Sequence, residues 1–167
     1  RFDESNNIEW SQRFEQAGCH VIYGFRNFKV HSKICTITRQ TEDGLQHITQ
    51  LGTGNYNEKT AKLYTDFSFI TTDARIGADA ADFFRNMALE NTSDDYSILW
   101  VAPLMIKQNI MRKIDEQIAL AKAGKPCGLF FKTNSITDKE VIDKLVEASQ
   151  AGVETHLFVR GISCLLP

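Results

Sequence analysis

The sequence lacks several features that would place it in a specialised class of protein. Its 167 residues contain no apolar run of about 18 residues, which excludes a hydrophobic helix that spans a membrane. Neither sign of charge is in excess, because 19 Lys and Arg oppose 21 Asp and Glu for a formal net charge of −2. The overall charge therefore does not indicate binding to nucleic acid or to an anionic membrane. The four cysteines have no CxxC spacing and therefore indicate neither a disulfide framework nor a zinc site.

Apolar residues nonetheless make up 43% of the chain and charged residues 24%, as in a globular protein that folds around a core. The length allows one domain or two small ones. We expect the cysteines to be buried free thiols in a cytoplasmic protein, with peripheral association to a membrane left open. The chain starts at Arg1 without a methionine and stops at Pro167 directly after apolar residues, so we expect a piece of a longer chain.

Hydrophobic periodicity in the first part of the chain predicts helices mixed with short strands. The predicted elements are, in order, a helix at 8–17, strands at 20–25, 30–38, 45–51 and 66–71, and a helix at 76–87. The turn-prone segment Thr41-Glu42-Asp43-Gly44 joins the second and third strands as a hairpin. This part is therefore predicted to be α+β.

The remaining residues follow a simpler rhythm of strand, helix, strand, helix and strand. These elements are predicted at 96–102, 106–118, 127–132, 141–146 and 155–159, and Thr137 with Glu140 forms a capping box for the second helix. Such alternation is typical of right-handed crossovers and a largely parallel sheet. We predict an α/β protein (α+β followed by α/β) with mixed sheets flanked by helices, in two partial domains at 1–93 and 94–167.

The segment Val30-His31-Ser32-Lys33 is the most informative for chemistry. On a strand, alternation places His31 and Lys33 on one face, so that an imidazole and an ammonium project together. Downstream, Gly52-Thr53-Gly54-Asn55-Tyr56-Asn57 supplies small residues that let backbone N–H groups approach an anion. The amides of Asn55 and Asn57 add hydrogen-bond partners. The pairing predicts a phosphate site with a nucleophile beside it.

HxK followed by G-[ST]-x-N resembles the order found in phospholipase-D-like sites. In such sites histidine attacks phosphorus, while lysine and asparagine hold the phosphoryl oxygens. The chain departs from the pattern in two ways: Thr38 stands where that superfamily has aspartate, five residues after Lys33, and the distance to Gly52 is longer.

Longer motifs resemble one family from the first residue to the last. They are Arg1-Phe2-Asp3-Glu4, His31-Ser32-Lys33, the sixteen residues 51–66, Ile76-Gly77-Ala78-Asp79, Val159-Arg160-Gly161-Ile162 and Cys164-Leu165. Together they resemble the polyphosphate kinases that use a phosphohistidine. The resemblance implies a much longer enzyme with two phospholipase-D-like C-terminal domains. This chain would carry the latter half of the first domain and the opening half of the second.

The resemblance also implies roles for individual residues. His31 is implied to be the histidine that is transiently phosphorylated, and Tyr64 and Arg160 fall where the family contacts ATP. Arg1 is placed next to the magnesium ion and the phosphates. An arginine side chain has only donors, so any contact of Arg1 with magnesium would be through its carbonyl or a shared phosphate. A second catalytic histidine, another arginine and an N-terminal nucleotide contact are not in this piece, so we expect it to be inactive alone.

The implied reaction is reversible transfer of the ATP γ-phosphate to the end of inorganic polyphosphate, with Mg²⁺ as cofactor. ATP or ADP and polyphosphate are the expected partners, in a homo-oligomer without nucleic acid. One alternative is a phospholipase-D-like phosphodiesterase; another is a non-catalytic polyanion-binding module. Arg26 and Lys29 precede His31, and they either add positive charge to the site or belong to a solvated loop.

Overall fold

The structure, a computed structural model, describes residues 4–92 and 96–166. It contains two compact units, Arg1–Leu99 and Trp100–Pro167. The predicted division at 93/94 falls among undescribed residues and stays a prediction. Helices flank the sheets in both units, so the predicted α/β class is confirmed.

The first unit is built around a three-stranded antiparallel sheet in the order β1-β2-β3. Its elements are α1 (Glu4–Gln16), β1 (Ile34–Thr41), β2 (Gly44–Gly52), α2 (Glu58–Ala61), β3 (Ser68–Thr71) and α3 (Ala74–Ala88). The predicted hairpin is confirmed as β1 and β2. Its turn ends at Gly44, whose φ of 115° lies in a region that side chains rarely adopt.

Helix α3 packs against the hairpin at a close approach. A Cβ on Gly77 would lie 2.6 Å from Cβ of His47 on β2, so only glycine fits there. The helix begins after Asp73, whose carboxylate accepts a hydrogen bond from the backbone N–H of Arg75 at 2.9 Å. One turn later, Asp79 and Ala80 are buried.

Two predicted strands are absent from the described residues, because the backbone of each segment makes other contacts. At 20–25, Gly24 takes a φ of 92° and Phe25 bridges to Phe28, so the chain turns rather than extends. At 96–102, the backbone N–H groups of residues 97–99 donate to the carboxylate of Asp79, at 2.6–2.9 Å, and not to a neighbouring strand. In both cases an apolar pattern typical of a strand lies in a segment whose backbone does not pair with a neighbouring strand.

The second unit carries a two-stranded parallel sheet, as the alternating pattern predicts. Its elements are α4 (Met105–Lys122), β4 (Gly128–Thr133), α5 (Lys139–Gln150) and β5 (Glu154–Val159). Both helices cover one face of the sheet around a core whose centre is Ile114, which is fully buried. The predicted capping box is wrong: the N-cap of α5 is Asp138, which accepts from the N–H of Val141 at 3.2 Å.

Two further sequence predictions concern membranes and thiols. None of the described helices is both long enough and apolar enough to cross a membrane. All four cysteines are free thiols, as predicted, but Cys19, Cys35 and Cys164 are exposed, so their predicted burial is wrong. Cys35 lies on the edge strand β1, and the other two lie outside regular elements, where little packs on them.

Candidate functional site

His31 and Lys33 lie just before β1, which begins at Ile34 rather than at the predicted residue 30. The His31 side chain is exposed, whereas Lys33 is only 9% exposed. The Lys33 ammonium donates to the backbone carbonyl of His31 at 2.6 Å. The Lys33 carbonyl in turn accepts from the N–H of Gly52 at 2.8 Å, which ties the segment to the end of β2. The histidine backbone is thus held while its ring faces solvent.

Positive charge dominates the surroundings of the His31 ring. The pKa of His31 is lowered, mainly by the charge of the Lys33 ammonium and further by partial burial and by the Lys29 ammonium. Burial is the main factor that lowers the pKa of Lys33, the charge of Lys29 adds to this, and the Asp66 carboxylate opposes it. A lowered imidazole pKa keeps the ring neutral, and a neutral ring is the nucleophilic form. The site therefore combines an exposed imidazole with cations that can receive an anion.

The loop after β2 folds onto Asp66, a residue that the sequence analysis did not single out. The Thr53 hydroxyl donates to Oδ1 of Asp66 at 2.8 Å and accepts from the N–H of Phe67 at 2.9 Å. A Cβ on Gly54 would lie 2.5 Å from Oδ2 of Asp66, so glycine makes this approach possible. Asp66 thus fixes the glycine loop, and its charge acts on Lys33.

Thr38, which stands where phospholipase-D-like sites have aspartate, makes its side-chain hydrogen bond within the hairpin. Its hydroxyl bonds to Nδ1 of His47 at 2.9 Å across the hairpin, opposite Thr38 in the strand register. The carboxylate whose charge raises the pKa of Lys33 belongs instead to Asp66, more than 30 residues later in the chain. The only sequence signal for Asp66 is its place at the end of the long family-like block.

Asn55 and Asn57 take different places in the loop. Oδ1 of Asn57 caps α2 by accepting from the N–H groups of Lys59 and Thr60, at 3.0 and 3.1 Å. Asn55 is exposed, and its carbonyl accepts from the N–H of Asn57 at 2.8 Å. Neither side chain hydrogen-bonds to His31 or Lys33, so their predicted contact with the same phosphate stays a prediction.

The remaining predicted residues lie apart along the chain. Tyr64 is 45% exposed between α2 and β3. In the second unit, Arg160 follows β5 directly, and its N–H donates to the carbonyl of Thr133 at 3.2 Å. It therefore lies at the carboxyl end of two parallel strands, a common place for ligands in α/β sheets. Arg1 lies outside the described residues.

No protein-held metal centre is built from the part of the chain that the structure describes. Within residues 4–92 and 96–166, no three His, Cys, Asp or Glu side chains are grouped to hold an ion. Those described residues therefore do not by themselves supply the ligands of a protein-held magnesium ion. Magnesium commonly keeps several waters and binds through substrate phosphates with few carboxylates.

Comparison with known proteins identifies the family to which this chain belongs. Residues 1–93 match the family model described as polyphosphate kinase C-terminal domain 1, and residues 99–167 match polyphosphate kinase C-terminal domain 2. Two curated proteins named polyphosphate kinase, from Staphylococcus epidermidis and Bacillus cereus, are each 47% identical over all 167 residues.

A solved structure agrees with these matches. The crystal structure of polyphosphate kinase from Porphyromonas gingivalis has a TM-score of 0.86 and 38% identity, and the match covers 100% of this chain and 28% of that one. The chain spans only 23–24% of the length of the two curated relatives. Since one family model alone covers more than half of the residues, this chain belongs to the polyphosphate kinase family, as a fragment with parts matching C-terminal domains 1 and 2.

Proposed function

We propose that the chain is part of an ATP:polyphosphate phosphotransferase in which His31 carries the phosphoryl group. The observation that supports this most directly is the exposed His31 ring within electrostatic reach of the Lys33 ammonium, on a segment that is bonded to Gly52 through the Lys33 carbonyl. Relatives named polyphosphate kinase support the choice of reaction over a phosphodiesterase or a simple polyanion-binding module. The activity belongs to the longer enzyme, since this chain spans about a quarter of its relatives.

The proposed first step is attack by the neutral His31 imidazole on the γ-phosphorus of ATP. The N–P bond forms as the bond from the γ-phosphorus to the bridging oxygen breaks, and ADP leaves with that bond's electron pair. In the second step, a terminal oxygen of polyphosphate attacks the same phosphorus and the N–P bond breaks. Each step also runs in reverse, so phosphohistidine can return its phosphoryl group to ADP.

Stabilisation of the phosphoryl oxygens supplies most of the rate in transfers of this kind. In this proposal Lys33 and Asn55 contact the transferred group, and Asn57 contributes its amide N–H groups while its oxygen caps α2. Tyr64 and Arg160 bind ATP, and the Arg160 guanidinium donates hydrogen bonds to two phosphate oxygens at once. Arg1 contacts phosphate. Magnesium, when bound on the nucleotide, neutralises phosphate charge.

The proposal extends to the context of the longer enzyme. We expect a cytoplasmic homo-oligomer, with peripheral association to a membrane left open, that binds no nucleic acid. We also propose that the two partial domains, 1–93 and 94–167, have the phospholipase-D-like fold. The pairing of β4 with β5 and the HxK segment before β1 support this assignment.

The test uses the longer enzyme incubated with ATP that is radiolabelled in the γ-phosphate. We expect a protein-bound label that is stable in base and labile in acid, with one ADP released for each label. His31→Gln should abolish the label, since the variant has no nucleophilic ring, whereas His20→Gln should retain it as a matched control on an exposed histidine. Full labelling of the His31→Gln enzyme, or release of alcohol from a phosphodiester without ADP formation, would overturn the proposal.

A further inference from the structure

We propose that Lys29 is a further phosphate-binding residue of the His31 site, and that it holds the phosphate next to the one that His31 attacks. The inference rests on the proposed function. The motifs that imply roles for His31 and Lys33 imply none for Lys29.

A local structure fixes the start of the segment that carries Lys29. Phe25 and Phe28 form an isolated antiparallel bridge, and their rings meet edge-on with centroids 6.2 Å apart. This contact closes the turn at residues 26–27, and Lys29 is the first residue after it. The backbone at residue 29 is therefore positioned by the aromatic pair rather than left as a free loop.

Val30 separates Lys29 from His31 in the chain. A Cβ on Gly24 would lie 3.3 Å from Cγ2 of Val30, and Val30 lines an apolar groove together with Ile8 of α1 and Val21. The residues on either side of Val30, Lys29 and His31, are both exposed. The contacts of Val30 thus hold the short segment between two exposed side chains, an ammonium and an imidazole.

The charges agree with this placement. Lys29 lowers the pKa of both His31 and Lys33, so its ammonium lies within electrostatic reach of both groups. Lys29 forms no ion pair with any carboxylate in the described ranges, whereas Arg13 and Arg75 each bind one at 2.8 Å or less. Asp66 is the carboxylate that acts on Lys33, and its Oδ1 accepts from Thr53. Two ammonium groups thus act on His31, and the one carboxylate acts on Lys33, so positive charge predominates at His31.

The two lysines differ in how they can meet an anion. Lys33 is nearly buried and bonded to the His31 carbonyl, which keeps its ammonium close to the transferred group. Lys29 is exposed on the other side of His31 in the chain, and its flexible stem carries three donors. A phosphoanhydride chain offers a second phosphate next to the reacting one. That phosphate is either the β-phosphate of ATP or the penultimate phosphate of polyphosphate.

The test compares Lys29→Gln, Lys29→Arg and the control Arg26→Gln in the longer enzyme. For Lys29→Gln we expect the KM for the substrate whose phosphate Lys29 holds to rise about threefold to fivefold, the effect of one exposed charge. Lys29→Arg should recover most of the loss, and Arg26→Gln should behave as the wild type. Measuring the KM for ATP and for polyphosphate separately identifies which of the two phosphates Lys29 holds.

The pH dependence of His31 labelling gives a readout that a structural role would not change. Removing the Lys29 charge raises the pKa of His31, so the acidic limb of the labelling rate should move to higher pH in Lys29→Gln. If the wild type forms no phosphohistidine, the proposed function itself fails. If the wild type is labelled and Lys29→Gln keeps both KM values and the same acidic limb, only the role of Lys29 is refuted. Equal defects in Lys29→Arg and Lys29→Gln would also refute it.

Discussion

Replacing Asp79 by alanine is expected to release the last residues of the first unit from α3. The Asp79 side chain is 3% exposed, and its two oxygens accept from three successive backbone N–H groups. Oδ1 binds the N–H of Ser97 at 2.9 Å, while Oδ2 binds those of Ile98 and Leu99 at 2.6 and 2.9 Å. The variant leaves these three donors without their acceptor.

The expected loss in the free energy of unfolding follows from the number of hydrogen bonds and from the exposure of their donors. A hydrogen bond to a charged group contributes about 1.5–3 kcal/mol, and a typical one about 1 kcal/mol. Ser97 and Ile98 are exposed, so their N–H groups can bond to water in the variant. The typical value of about 1 kcal/mol is therefore appropriate for each of the three bonds. We therefore expect Asp79→Ala to cost about 3 kcal/mol. Asp79→Asn keeps one acceptor oxygen and should cost about half as much.

Hydrogen exchange of the three amides measures this directly. A loss of about 3 kcal/mol corresponds to about a hundredfold faster exchange at residues 97–99, if opening of this segment limits the reaction. The control is Asp82→Ala on the same helix, where a half-buried carboxylate pairs with the exposed Arg85 at 2.9 Å, and the expected loss of stability is below about 1 kcal/mol. Exchange in Asp79→Ala that stays within about threefold of the wild type would refute the reasoning.

Two further predictions concern the glycine loop and the N-cap of α3. In Gly54→Ala, the new Cβ would lie 2.5 Å from Oδ2 of Asp66, so thermal unfolding should show a free energy of unfolding lower by about 1–3 kcal/mol. In the control Gly128→Ala, the nearest atom to the new Cβ lies at 3.7 Å, so the free energy of unfolding should change little. The bonds from Arg75 lower the pKa of Asp73 to about 2. Because its pKa is about 3.9 when unfolded, the cap stabilises the fold above about pH 4 and is lost as the pH falls towards 2. Asp73→Asn should flatten the fall of the unfolding midpoint over that range, and an unchanged slope would contradict the assignment.

The elements that could be predicted from the sequence are those in which periodicity and packing agree. Helix α4 has isoleucines four residues apart, and two of them, Ile114 and Ile118, are buried in the structure. The hairpin was predictable because a turn segment separates two apolar runs. The strand predicted at 96–102 is absent because its amides bond to a carboxylate on α3, and periodicity carries no information about such a long-range partner.

The candidate residues of the site could be chosen from the sequence, whereas their geometry could not. Residue types and spacing select His31 and Lys33 as candidates, because an imidazole and an ammonium two residues apart suit a phosphate. The burial of Lys33 and its bond to the His31 carbonyl were not predictable, since they depend on where β1 begins. Asp66 was missed because its approach to the loop depends on the missing side chain of Gly54.

The hairpin has a consequence for how the site forms during folding. Lys33 and Gly52 adjoin the pair Ile34 and Leu51 at the open end of the β1–β2 ladder, so pairing of two strands that are adjacent in sequence also brings the two halves of the site together. Hairpins form in about 1–10 μs, well before most long-range contacts. The register set at Gly44 therefore determines the site some eight residues away. A slip of one residue would turn every following side chain of one strand to the opposite face, and it would separate the His31–Lys33 segment from the glycine loop while the rest of the sheet still paired.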